Sequence, residues 1–182
     1  KKYDFLYMCL KDNDKCETGW HAFNKNWELA EKCLDIMCNK LHLRGLLVGR
    51  INCKLPNGCH HLMEKTDFLK YNTFIEKYNQ CRFIFCPNMY DASPRVLTEA
   101  LARNLPCLVN YNILGGWKYV NEQTGEFFHD ENDIEEQAKK LMNNLNKYEP
   151  QKYFLDNHGK HKEGKEFLAF IKRIIPKLKN KM

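Results

Sequence analysis

The chain has 182 residues, 43% of them hydrophobic, 29% charged and 13% aromatic, a composition that excludes a disordered linker and suits one domain with its own core. No apolar run reaches the roughly 18 residues of a spanning helix, and Lys1-Lys2-Tyr3-Asp4 lacks the apolar stretch of a secretion signal. The net charge of +6 sits between Lys160 and Met182, where there are eight Lys/Arg and two acids, while the 21 basic and 21 acidic residues before it cancel.

A basic surplus on one terminal helix, rather than across a folded face, argues against a nucleic-acid partner. It leaves a solvated helix face or peripheral contact with a membrane or protein partner. The first residue is not Met, so the chain is expected to be a trimmed piece or a domain of something longer. Nine cysteines, an odd number, scatter among apolar runs such as Tyr7-Met8-Cys9-Leu10. They read as reduced, buried thiols, and the protein as cytoplasmic. Cys53, Cys59, His60 and His61 lack a CxxC and read as a loop, so no metal is expected.

In chain order, residues 3–10 predict a strand and Trp27 to Cys38 a helix with apolar residues at helical spacing. Leu43 to Val48 predicts a second strand, and Phe68 to Tyr78 a helix. Arg82 to Cys86, continuously apolar after its first residue, suits a strand covered on both faces. A helix from Pro94 to Arg103 and a strand from Pro106 to Asn110 follow, then a Gly115-Gly116 loop and a short strand at Glu126 to Phe128. Helices are expected at Asp133 to Leu145 and at Glu166 to Leu178, the latter bent or ended near Pro176. The alternation predicts an α/β fold, a Rossmann-like parallel sheet with helices on both faces, as one domain spanning 1–182 with 160–182 as its basic C-terminal helix. Ligands of such folds bind beyond the carboxyl ends of the strands.

The segment Cys86 to Asn110 reads CPNMYDASPRVLTEALARNLPCLVN. Ser93 is a natural N-cap, Pro94 fits the first helical position, and Asn104 followed by Pro106 supplies the stop. The helix start then points free N–H groups into the crevice, where a phosphate is welcome. Asp91 precedes the cap and Glu99 lies eight residues on. Two carboxylates flanking a phosphate site suit two sugars, each held by vicinal hydroxyls. On residue type alone, a turn aspartate and a solvated helix glutamate fit as well.

DASPRVLTEALARNLPCLVN resembles the carboxylate-x7-Glu segment of retaining glycosyltransferases of the GT-B fold, family 4, and NILGGWKYVNEQTGEFF resembles that family's following Gly-Gly loop and Thr-Gly strand. The resemblance runs from about Tyr3 to Leu145 and covers the C-terminal, donor-binding half of such an enzyme. It implies that Glu99 holds the donor's ribose and that Asp91, where Glu is commoner, contacts the transferred sugar. Ser93, Pro94 and Arg95 fall where the family approaches sugar and pyrophosphate. Lys11 and Lys25 are the nearest matches to the basic pair that neutralises the diphosphate. Gly115 and Gly116 match the loop that comes close to the donor, and Arg50, following Gly49 at the end of the second strand, suits either the border of the base or the surface.

The implied reaction is sugar transfer from a nucleoside diphosphate sugar, UDP- or GDP-linked, to a hydroxyl of a glycan or other acceptor, with retention and without metal or cofactor. The acceptor-binding N-terminal domain has no room in this chain and is expected from a partner domain or subunit. Competing readings are a non-catalytic nucleotide-sugar-binding module and a sugar-nucleotide epimerase. Dehydrogenase and P-loop readings fail, because neither GxGxxG nor GxxxxGK[ST] occurs.

Overall fold

The computed structural model describes residues 1–175. Six strands form one parallel sheet: β1 (Tyr3–Met8), β2 (Gly45–Val48), β3 (Met63–Thr66), β4 (Cys81–Cys86), β5 (Cys107–Asn110) and β6 (Gly125–Phe128). Their spatial order is β3-β2-β1-β4-β5-β6. The order reverses between β1 and β4, which pair through Phe5 with Phe83 and Leu6 with Ile84. At that reversal the connections leave in opposite directions and open a crevice above the carboxyl ends of the two strands.

Two helices, α1 (Trp20–Asn24) and α2 (Trp27–Asn39), link β1 to β2. The helix α3 (Tyr71–Tyr78) links β3 to β4, and α4 (Arg95–Leu101) links β4 to β5. After β6 come α5 (Ile134–Asn143), α6 (Pro150–Asn157) and α7 (Lys160–Ile174). Ala30, Cys33, Leu34 and Met37 recur at helical spacing on α2, so one stripe packs with Ala138 and Leu141 of α5 against Phe5, Tyr7, Phe83 and Phe85. The other sheet face is covered by Phe74 and Tyr78 of α3 and by Leu97, Ala100 and Leu101 of α4. Each strand of the centre is therefore buried on both sides, which is why β1 and β4 are nearly continuous apolar runs.

The α/β parallel sheet with helices on both faces stands as expected; several details differ. The first two strands are shorter, and β3 was not anticipated. It is an edge strand, and of its four residues only Met63 is buried, so no apolar run marks it. α1 and α6 were also unforeseen, and α7 begins at Lys160 rather than Glu166; Pro176 and Leu178 lie outside the described residues. Ser93 does not cap α4. Pro94 occupies that position with φ −70° and ψ 93°, and no side chain caps the helix. Asn104 does adopt the left-handed conformation, at φ 57°.

The cysteine expectation is corrected at two positions. Cys16 and Cys53 form a disulfide, joining the loop after β1 to the loop after β2, and the other seven are free and buried. The two partners are 37 residues apart, and only the fold brings their loops together. Disulfides persist mainly in oxidising surroundings, so the reducing compartment loses the support of nine thiols.

Candidate active site

The crevice at the β1/β4 reversal has a volume of about 410 Å³, within the range of small-ligand sites. Its floor is Met8, Cys9, Phe85 and Cys86; its walls include His21, Lys25, Asn88, Asp91, Ser93, Arg95 and Glu99. A second lobe of about 390 Å³ shares Met8, Leu10, Phe68, Arg95 and Glu99 and continues to Leu69, Tyr71 and Phe74. The site is thus one groove, polar at the Asp91 end and aromatic at the Phe68 end.

At the polar end the Lys25 ammonium donates to Asp91 Oδ2 at 2.8 Å, and Asn88 Nδ2 donates to the same oxygen at 3.0 Å. Asn88 is almost fully buried, which fixes its amide. Asp91 is therefore held from two sides, with its other oxygen left to the crevice. Lys25 is tied by its backbone as well, because the buried Tyr7 hydroxyl donates to its carbonyl at 3.0 Å. Asn24 completes the link across the groove. Its carbonyl accepts from the Met89 N–H at 3.3 Å and its side chain donates to the Tyr90 carbonyl at 3.1 Å.

Glu99 is half-buried on α4, and among the described residues its carboxylate makes no hydrogen bond or ion pair; the same holds for the Arg95 guanidinium. A carboxylate and a guanidinium at the junction of the two lobes, neither internally satisfied, suit a ligand bearing hydroxyls and phosphate. Cys9 and Cys86 do not offer a nucleophile. Burial pushes the Cys9 thiol up and raises Cys86 to about 12, so both stay protonated at neutral pH.

Other sequence-predicted residues lie elsewhere. Arg50 does not border the groove: it is fully buried, stacked 4.5 Å from the Trp27 ring, donates to the Leu10 and Cys16 carbonyls at 3.2 and 3.3 Å, and pairs with Asp12 at 3.8 Å. Lys11 turns its ammonium to Asp14, 2.7 Å away. Pro94 is buried behind the groove. A Cβ on Gly115 would stand 2.2 Å from the Ala92 carbonyl oxygen, and one on Gly116, where φ is +97°, 2.7 Å from Pro94 Cγ. The Gly-Gly loop therefore closes on the Ala92 backbone and the Pro94 ring and supports the Asp91 loop from behind.

Sequence reasoning missed Asn88, His21, Phe68 and Tyr71. The sequence carried no signal for the aromatic pair: Phe68 and Tyr71 follow β3, which no apolar run marks, and their exposure is a property of the fold. Among the described residues, no three His, Cys, Asp or Glu side chains converge on a metal-sized site. A separate cleft of about 340 Å³ between β6 and α5 has its central charges already paired, Lys140 and Tyr148 both binding Glu126 at 2.7 Å.

An open parallel sheet with a crevice at its strand-order reversal defines an α/β domain of the Rossmann class, here with the architecture of the C-terminal half of GT-B glycosyltransferases. The chain belongs to the glycosyl transferases group 1 family, whose model matches residues 58–161, more than half of its length. Among solved structures it is similar to TarM (9% identity, TM-score 0.70), covering 92% of this chain and 34% of that one. It is also similar to the catalytic domain of the Helicobacter pylori cholesterol-alpha-glucosyltransferase (15%, 0.57; 83% and 92%) and to an S. aureus MnaA–UDP structure (17%, 0.57; 82% and 40%). The chain thus spans only about a third to two fifths of TarM and MnaA. At these identities the likeness is one of fold. No curated protein matches the sequence significantly.

Proposed function

We propose that this domain binds a nucleoside diphosphate sugar and supplies the donor half of a retaining glycosyltransferase of family 4 type, acting on a glycan or other hydroxyl acceptor. The observation that carries the reading is the gathering of Lys25, Asp91, Ser93, Arg95 and Glu99 into one crevice at the β1/β4 reversal. Glu99 accepts from the ribose hydroxyls, with the base in the aromatic lobe. Asp91 reads the transferred sugar. Lys25 and Arg95 balance the diphosphate; Lys11 can join them at little cost, because an exposed pair such as Lys11–Asp14 contributes roughly 0–1 kcal/mol. α4 has only seven residues, so its dipole is a lesser contribution than the side chains.

UDP is favoured over GDP by the UDP present in the MnaA structure and in a TarM complex. Neutralisation by fixed cations makes the reading metal-independent. Transfer requires an acceptor-binding half, so the chain alone is expected to bind donor without turning it over. The test is thermal shift against UDP- and GDP-sugars with and without excess EDTA. Stabilisation by one nucleotide series that survives EDTA and weakens with salt is expected. No stabilisation by any nucleotide sugar would overturn the reading, and loss of binding in EDTA would overturn its metal-free form.

A further inference from the structure

His21 lines the crevice and has no part in the donor reading above. It is the second residue of α1 and stands one helical turn before Lys25, so the two share a face. The helix is anchored without its side chain. Ala22 is buried, Asp12 accepts from the His21 and Ala22 N–H groups at 2.6 and 2.9 Å, and the His21 carbonyl accepts from the Lys25 N–H at 3.0 Å. Among the described residues the imidazole of the half-buried His21 makes no hydrogen bond or ion pair.

The fixed charges around it cancel. Across the crevice Lys25 and Arg95 stand against Asp91 and Glu99. In the adjoining loops Arg50 pairs with Asp12 at 3.8 Å and Lys11 with Asp14 at 2.7 Å. A diphosphate therefore meets no surplus of positive charge until His21 takes a proton. Position points the same way. Ala22 of α1 belongs to the core on one face of the sheet and Leu97 of α4 to the core on the other, so the two helices flank the crevice from opposite sides. Arg95 brings a free guanidinium from the α4 wall, whereas on the α1 wall Lys25 is already on Asp91 and His21 is the free donor. We propose that the protonated imidazole of His21 binds the donor diphosphate from the α1 wall, so that donor affinity rises as pH falls. This rests on the donor reading. An anion draws the proton onto an imidazole, the side chain that changes charge near neutral pH, so binding takes up a proton.

The test is calorimetry with UDP-glucose and GDP-mannose. Both phosphates of these probes are esterified and keep a constant charge, whereas the terminal phosphate of free UDP takes a second proton at about pH 6. For the native chain, heats measured in two buffers of different ionisation enthalpy should show proton uptake on binding. Affinity should rise by about tenfold between about pH 8 and about pH 5.5, the scale of a hydrogen bond to a charged group. His21→Gln should flatten the profile at the level of the native chain near pH 8. Circular dichroism checks that this variant folds, and the proton count needs no variant. Binding without proton uptake overturns the proposal and leaves the donor reading standing. So does a His21→Gln chain that keeps the native pH profile at any affinity, because His21 would then only support α1. A native chain that binds neither probe overturns both.

Discussion

Replacing Asp91 by Ala separates sugar recognition from nucleotide recognition, and the structure sets the sign of both effects. In the native crevice Asp91 Oδ2 is bound to Lys25 and Asn88, so the hydrogen bonds it makes to a sugar come from a pre-oriented carboxylate. Losing hydrogen bonds to a charged group costs about 1.5–3 kcal/mol, or roughly tenfold to a hundredfold in affinity for the intact nucleotide sugar. The same substitution frees the Lys25 ammonium from its carboxylate. Both side chains are partly exposed, 27% and 18%, so the released attraction is modest, about 1 kcal/mol. The bare nucleoside diphosphate should therefore bind as well as before, or up to about fivefold tighter. Glu99→Ala has no such compensation, since no internal partner holds its carboxylate, and should weaken both ligands by a similar 1.5–3 kcal/mol or so. Calorimetry of the two ligands against the two variants yields four affinities relative to the native chain. Equal loss of both ligands in the Asp91 variant would refute the argument, because it would make Asp91 a support for its loop rather than a reader of the sugar.

Two further outcomes test the fold around the site. Thiol titration of the denatured, unreduced chain should count seven free cysteines, rising to nine on reduction; reduction should also lower stability by roughly 3–4 kcal/mol, the scale for a closed loop of this size. Nine thiols without reductant would remove the Cys16–Cys53 bond. Glu64, held at about 2 by Lys2, Lys77 and Tyr3 against an ordinary 4.5, stabilises the native state above its unfolded value and loses that contribution as pH falls. Because its side chain is a third exposed, the shift is discounted to about 1 kcal/mol. Urea melts of Glu64→Gln should differ from the native chain by that much near pH 7 and converge between about pH 4.5 and pH 2; a constant difference would contradict the linkage.

What the sequence disclosed follows from what is local. Arg82 to Cys86 and Pro106 to Asn110 announce central strands because both of their faces are covered, and the helix carrying Glu99 is punctuated by Pro94 and Asn104 on either side. Asp91 and Glu99 were legible together because a shared pattern fixes their spacing, whereas Lys25 was only the nearest match to a basic pair; the fold brings all three to one crevice. β3 was illegible because an edge strand needs only one apolar residue. α1 was illegible for another reason: five residues have no propensity signal of their own, and the helix is held by a carboxylate from before it in the chain. Arg50 was misread for the same non-local reason. A strand-end arginine looks like a ligand residue until Trp27, Asp12 and the carbonyls of Leu10 and Cys16 converge on it.

That buried arginine is nevertheless connected to the chemistry. Arg50 pairs with Asp12 at 3.8 Å, and Asp12 accepts from the His21 and Ala22 N–H groups at 2.6 and 2.9 Å, capping α1 from outside the helix. Burial pushes the Asp12 carboxyl up, but those two amides and the charges of His21 and Arg50 outweigh it and hold it below its ordinary value. α1 in turn ends at Lys25, whose carbonyl accepts from Tyr7 and whose ammonium reaches Asp91. A buried pair of this kind is weak support for stability as such, since desolvation offsets most of its attraction. Its effect is positional. A lysine on a free loop would lose rotamer and backbone freedom on meeting a diphosphate, whereas here the backbone of Lys25 is already fixed by groups from β1, from the loop after β2 and from the loop after β4. If the domain takes a diphosphate donor as proposed, the Lys25 charge that meets it is placed before it arrives, and the residues that place it lie outside the crevice.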